Sequence, residues 1–155
     1  MDKAPSIREA QGSDLPEILE VFRTSISEIA NSVYTEEQIR VWLLTAQDEQ
    51  RWLKNIDHQF FLVFESNQID GFGSLEKNYV DFLYVRPGSA RNGIGAQVLS
   101  ELEDHALEAG EMELHTHASL IARPFFEKHG YRVVEPEVVE RQGVHLRRFK
   151  MRKEL

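Results

Sequence analysis

Apolar residues recur along this chain in two rhythms, alternate and three-to-four apart, and the switches between them predict a succession of strands and helices. Ser6 to Ala10 reads as a short first strand. Ser13 or Asp14 then caps a helix beginning at Leu15-Pro16, with Glu17 early and a buried stripe of Leu15, Ile18, Leu19, Phe22 and Ile26. After a polar loop, Thr35 followed three residues later by Gln38 signals a second helix start, ahead of Ile39, Trp42 and Leu43. Phe60–Phe64 and Ile69–Leu75 flank Ser66-Asn67-Gln68, the pattern of a hairpin. Nearly every residue of Tyr79–Val85 suits a sheet, so this run predicts a central strand, ended by the turn Arg86-Pro87-Gly88.

Ile94, Val98, Leu102 and Ala106 repeat at helical spacing, and Gly110 closes that helix. A strand over Met112–His117 follows, then a short helix around Pro124 to His129, a strand from Tyr131 and a final strand from about Val144 to Met151. No repeat or linker interrupts this order. It predicts a single α/β domain over residues 1–155.

Composition narrows the function. The 155 residues carry a formal charge of −8 and no cysteine, which removes thiolate zinc sites and cysteine nucleophiles. A pI near 5.3 argues against nucleic acid or an anionic membrane as partner. Acidic residues dispersed through the first thirty positions leave no apolar run for a signal peptide or a membrane span, so the expected location is the cytoplasm, with the mature chain starting at or near Met1.

The segment Val85-Arg86-Pro87-Gly88-Ser89-Ala90-Arg91-Asn92-Gly93-Ile94-Gly95-Ala96 leaves a strand and opens a helix. Glycines there let backbone N–H groups approach an anion, and the helix start adds partial positive charge. Alone, Gly93 and Gly95 equally serve a tight turn and close helix packing. Val98 stands where a dinucleotide fingerprint needs its third glycine, and no Gly-Lys-Ser/Thr of a P-loop follows.

Leu83-Tyr84-Val85-Arg86-Pro87 through Gly93-Ile94-Gly95 resembles the acetyl-CoA-binding motif of the GNAT family of N-acetyltransferases. Ala118 to Tyr131 resembles the helix and strand that follow it, and the element order fits from Ile7 to Met151, so the resemblance implies a mixed, mostly antiparallel central sheet flanked by about four helices. The resemblance implies transfer of an acetyl group from acetyl-CoA to a primary amine of a small molecule or peptide, by direct attack in a ternary complex. It places the main chain of Leu83, Tyr84 and Val85 against the pantetheine arm, in a gap between the strands at Tyr79–Val85 and Met112–His117. It places the pyrophosphate on the amides of Arg91, Asn92, Gly93, Ile94, Gly95 and Ala96. Ala90 stands where the family has Gln or Arg, with Arg91 displaced by one.

Alternation along the strand puts Tyr79, Asp81, Leu83 and Val85 on one face, so if Leu83 lines the cleft Asp81 does too. Asp81 is the candidate base, directly or through water; a structural ion pair is its alternative reading. His117 is a second candidate proton carrier, with a solvent-facing or hydrogen-bonded histidine as its alternative reading. Phe126 occupies the position of the family's acid tyrosine, leaving Tyr84, His117 or Tyr131 to substitute, and Ser119 bonds the cofactor or caps a helix. The resemblance makes Tyr34, Trp42 and Tyr79 candidates to border the acceptor, with Trp52 in the same early segment as Tyr34 and Trp42; for Trp42 core packing is the competing role. His115 and His117 share a strand face, but no third ligand is near in sequence, so no metal is expected. The run Glu101, Glu103, Asp104, Glu108, Glu111 and Glu113 reads as a solvated face, and Arg147, Arg148, Lys150, Arg152 and Lys153 as an exposed basic edge or a homodimer contact. Two rival functions remain: an acyl-CoA-binding sensor without turnover, and a nucleotide-binding domain of another kind.

Overall fold

The computed structural model describes residues 3–89 and 92–155, with the main chain alone at Ile29 and Ala30. Seven strands form one sheet: β1 (Ser6–Glu9), β2 (Phe60–Glu65), β3 (Ile69–Glu76), β4 (Tyr79–Val85), β5 (Glu113–Ser119), β6 (Arg132–Arg141) and β7 (Val144–Glu154). Their order is β1-β2-β3-β4-β5-β7-β6, antiparallel throughout except for β4 beside β5. Helices α1 (Leu15–Ile29), α2 (Glu36–Leu43) and α3 (Glu49–His58) cover one face; α4 (Ile94–Glu108) and α5 (Arg123–Lys128) cover the other.

Local signals account for most boundaries. Thr35 accepts the Gln38 amide at 3.1 Å while the Gln38 side chain accepts the Thr35 amide at 2.9 Å, a reciprocal cap on α2. Gly110, at φ 89°, ends α4 as expected. Neither Ser13 nor Asp14 caps α1. A 3-10 turn, Gly12–Asp14, precedes it, and the Asp14 carboxylate instead accepts the Gln11 amide and a two-pronged ion pair from Arg8 at 2.9 Å. That pairing holds the Asp14 carboxyl below the usual range.

Helix α3 was not anticipated. Asp48 caps it by accepting the Arg51 amide, and it buries Trp52 and Ile56 at helical spacing. Trp52 stacks on Phe82 at 4.6 Å and meets Phe22 edge-on at 5.1 Å, tying α3 to β4 and α1.

The β3–β4 pairing corrects the predicted alternation. Ser74 pairs Phe82 and Leu75 pairs Val80, so Asp81 is an extra residue in a β-bulge. The bulge flips the parity of β4. Phe82 and Tyr84 turn to the α1–α3 face with Trp52 and Phe22, whereas Leu83 and Val85 join Val80 in the α4–α5 core. Asp81 and Leu83 therefore do not share a side of the sheet.

Close contact of α4 with β3 rests on two glycines. A Cβ on Gly71 would lie 2.9 Å from Ile94 Cγ2, and one on Gly73 would lie 2.8 Å from Val98 Cγ1. Both strand positions are filled by the helix.

Candidate active site

Strands β4 and β5 pair only at Tyr79 with His115 and Val80 with Thr116, where the Thr116 hydroxyl also donates to the Val80 carbonyl at 2.8 Å. Beyond that point the strands diverge, β4 running to Val85 and β5 to Ser119 without pairing to each other. Backbone groups along the inner edge of β4 from Asp81 onward are left available, and two cavities open into the fork.

The larger, about 550 Å³, runs from Leu83, Tyr84 and Val85 along Gly93, Gly95 and Ala96 to Phe125, Phe126, Lys128 and His129. No side chain caps the first turn of α4, so its leading N–H groups face this cavity without helical partners. Gly93 there adopts φ 72°, a left-handed conformation that favours glycine. Gly95 is a close-approach residue, since a Cβ would stand 3.3 Å from the Phe125 ring and 3.6 Å from Val85.

The second cavity, about 270 Å³, lies under α2 and is lined by Tyr34, Trp42, Tyr79, Asp81, His117 and the β6–β7 hairpin among others. Leu83, Tyr84, Ser119, Ala122, Phe126 and Trp42 line both cavities, so they communicate. The Tyr34 hydroxyl accepts the Leu120 amide at 2.8 Å, and its ring meets Trp42 edge-on at 5.3 Å, fixing this wall to the end of β5. Ser119 Oγ accepts the Ala122 amide at 3.1 Å, which makes it a turn cap beside the cavity junction.

Two groupings of titratable side chains matter in the second cavity, Asp81 and the Tyr79–His117 pair. Asp81 Oδ2 accepts the Gln59 side-chain amide at 2.8 Å; burial raises its carboxyl pKa, opposed by that bond and by the charge of Arg51. The Tyr79 hydroxyl and His117 Nδ1 are 2.9 Å apart. His117 Nε2 lies 3.4 Å from Glu137, whose carboxylate accepts Arg148 Nε at 2.9 Å. A carboxylate opposite Nε2 assigns the neutral ring's proton to Nε2, leaving Nδ1 to accept from Tyr79. Burial and then Arg148 hold His117 below its ordinary pKa, while burial and then the charge of Asp81 push Tyr79 up to about 12.

The structure thus brings Tyr34, Trp42, Tyr79, Asp81 and His117 into one cavity, and Leu83, Tyr84, Val85, Gly93, Gly95, Ala96, Ser119 and Phe126 into the other. The Ile94 side chain does not line this cavity, being buried against Gly71. Asn92 donates to the Ser89 carbonyl in the approach to α4. Arg91 and Ala90 lie outside the described residues. Tyr131 is excluded as a thiolate acid: its hydroxyl donates to Glu103 at 2.9 Å, away from both cavities, and Lys153 binds the same carboxylate. Glu103 is therefore no solvated residue, and Arg148, Arg152 and Lys153 of the basic edge are paired to Glu137, Glu113 and Glu103. His105 stacks on Phe60. Trp42 is half-buried: it packs against the α1–α3 core, as its competing role required, and also lines both cavities. Sequence reading missed Gln59 and Glu137, which hold Asp81 and face His117, and Lys128 and His129 in the larger cavity.

Residues 30–155 match a family model described as an acetyltransferase (GNAT) domain. The chain belongs to the GNAT family. It is 31% identical to the uncharacterized N-acetyltransferase YafP of Escherichia coli K12 over 147 residues, 94% of this chain and 93% of that protein. A GCN5-related N-acetyltransferase from Rhodopseudomonas palustris superposes with a TM-score of 0.94 at 29% identity, covering 100% of this chain and 98% of that one. The PaiA N-acetyltransferase of Thermoplasma acidophilum, solved in complex with coenzyme A, shares the fold at a TM-score of 0.79 and 23% identity, over 98% of this chain and 99% of its own. As a GNAT protein this chain is an acetyl-CoA-dependent acetyltransferase. The forked strands, the uncapped helix start and the cavity joining them fit the co-substrate of such an enzyme.

Proposed function

We propose that the protein transfers the acetyl group of acetyl-CoA to a primary amine of a small molecule or peptide, by direct attack within a ternary complex. The communication of two cavities at the β4–β5 fork carries this reading: one accepts the cofactor arm, the other the amine, and they meet beside Leu83 and Phe126. The main chain of Leu83 and Val85 holds the pantetheine arm, and the amides of Gly93 to Ala96 hold the pyrophosphate. Acetyl-CoA supplies the activated acyl group; the protein orients both reactants and removes the amine proton.

Asp81 attracts the incoming ammonium and takes its proton. Its raised pKa brings it closer to neutrality than a free carboxylate, the direction a base acting near pH 7 requires. The Tyr79–His117 pair is a second acceptor in the same cavity: Tyr79 gives its hydroxyl proton to Nδ1 as it receives one from the substrate. Phe126 offers no proton to the departing thiolate. Tyr84, at the junction of the cavities, is the hydroxyl nearest in role, although burial holds its pKa far above neutrality. A thiol pKa of about 8.5 makes the thiolate a tolerable leaving group without such help.

Thermal unfolding with acetyl-CoA, CoA, NADH and ATP tests the cofactor. A ligand at about a hundred times its dissociation constant stabilises by roughly 2.7 kcal/mol, an easily read shift. Saturable shifts with acetyl-CoA and CoA alone support the reading. Shifts with NADH or ATP alone, or none, overturn it. Thiol release with an amine panel then separates an enzyme from a sensor.

A further inference from the structure

The chain is acidic overall, yet the wall of the acceptor cavity is not. Arg141, Arg147 and Arg148 line it, against the single carboxylate of Asp81. Arg148 is already matched, its Nε held by Glu137 at 2.9 Å. Among the described residues Arg141 donates only to the carbonyl of Glu140, and no carboxylate lies within ion-pair distance of Arg141 or Arg147. Both are exposed residues that line the cavity.

They are carried on an anchored support. Arg147 stands opposite Val138, and Arg141 closes the hairpin against Val144. Gln38 of α2 donates to the His145 carbonyl at 2.9 Å, fastening that hairpin to the helix that roofs the cavity. β7 continues past the end of β5 here, since Ser119 pairs with Arg148 and residues 144–147 have no β5 neighbour. The arginines therefore border the route by which an acceptor reaches Asp81.

We propose that the acceptor is an amine that also carries an anionic group, a carboxylate or a phosphate, bound by Arg141 and Arg147 while its amino group reaches the Asp81 end of the cavity. The inference rests on the acetyltransferase reading and specifies its substrate class. Positive charge at Arg141 and Arg147 and a carboxylate at Asp81 match a zwitterion end to end, and they repel a polyamine, whose second ammonium would face the two guanidiniums. Guanidinium forks bind carboxylate and phosphate oxygens in pairs, so either anion satisfies them.

The test is CoA release from acetyl-CoA with matched acceptors: β-alanine, propylamine and diaminopropane for the carboxylate, and phosphoethanolamine against ethanolamine for the phosphate. The expected result is a kcat/KM for at least one anionic amine roughly 10- to 100-fold above its uncharged match, the scale of one or two hydrogen bonds to a charged group. In an Arg141→Gln/Arg147→Gln double variant that preference collapses through KM, with kcat for the anionic amine largely kept. Preference for diaminopropane, equal use of all acceptors, no release with any anionic amine, or an equal fall for every acceptor in the double variant overturns the inference. Stabilisation by acetyl-CoA in the same preparations separates this failure from failure of the acetyltransferase reading, which would remove that stabilisation as well.

Discussion

The Tyr79 hydroxyl sits 2.9 Å from Nδ1 of His117, across the one short stretch where β4 and β5 run paired and parallel. The contact lies at the base of the fork, so the last pairing of the two strands also sets the geometry of a proton acceptor. Thr116, between His115 and His117, donates to the Val80 carbonyl at 2.8 Å and locks that register. A packing feature and a chemical one share the same residues.

His117 gives the protein a pH signature. Its folded pKa lies below the ordinary value of about 6.5, so the unfolded chain takes up this proton first. The stability it contributes is complete above about pH 6.5 and is lost as acid titrates through the depressed value. Replacing it, as His117→Gln, flattens that part of the pH dependence of Tm and removes the matching acid limb from kcat. Melting curves and rates at neutral and mildly acid pH decide the matter; a variant with the wild-type slope in both contradicts it.

Asp81 has the opposite sign. Burial raises its pKa, so its contribution to stability is present below the ordinary carboxylate value of about 3.9 and is lost as pH rises through the raised one. Near pH 7 the charged form burdens the fold. Asp81→Asn keeps an oxygen for the Gln59 amide, and the expected outcome is a higher Tm at pH 7 that converges with wild type in acid. Turnover falls by about 100-fold or more, the scale of a lost general base. A variant both less stable and equally active would sink the assignment.

How much of this site was legible depended on the range of the interaction that makes it. The helix opening at Ile94 after Gly93 and the Thr35–Gln38 cap are set by neighbours in sequence and were read correctly. Asp81 does line a cavity at the fork, but its orientation on the strand was not foreseen. Tyr79–Val85 is an unbroken β-favouring run, and the bulge exists only in pairing with β3, which no local pattern records. Glu137 belongs to an edge strand of mixed polarity and gains its role only because β6 register sets it opposite Arg148. The signal for α3, Asp48 ahead of Trp52 and Ile56, was present in the sequence and passed unread.

Gly95 separates packing from binding. A first added carbon meets the Phe125 ring at 3.3 Å, a distance a small shift relieves; the branched methyls of valine have less room beside Val85 and Phe125. Both neighbours line the larger cavity. Gly95→Ala therefore weakens the acetyl-CoA-induced rise in Tm modestly and Gly95→Val abolishes most of it. Equal stabilisation of wild type and Gly95→Val by saturable acetyl-CoA would remove the cofactor from this wall.

Gly73 tests the scaffold behind that wall. Its missing side chain leaves space already filled by Val98 Cγ1 at 2.8 Å, Leu83 Cδ1 at 3.1 Å and the Phe82 carbonyl oxygen at 3.2 Å. The first two are side chains that can shift, but Val98 is buried in the α4 core and Leu83 lines both cavities, while the carbonyl is fixed by the sheet. Gly73→Ala is expected to lose about 1–3 kcal/mol to overpacking, and at ~2–4 °C per kcal/mol for a chain of this size the melting point falls by several degrees. Gly88→Ala, with nothing within 4 Å of the added carbon, stays within about 0.5 kcal/mol of wild type. Because Leu83 must move to admit the new methyl, Gly73→Ala also lowers acetyl-CoA affinity although residue 73 never touches the cavity. Destabilisation with unchanged affinity would show instead that α4 yields and the fork does not.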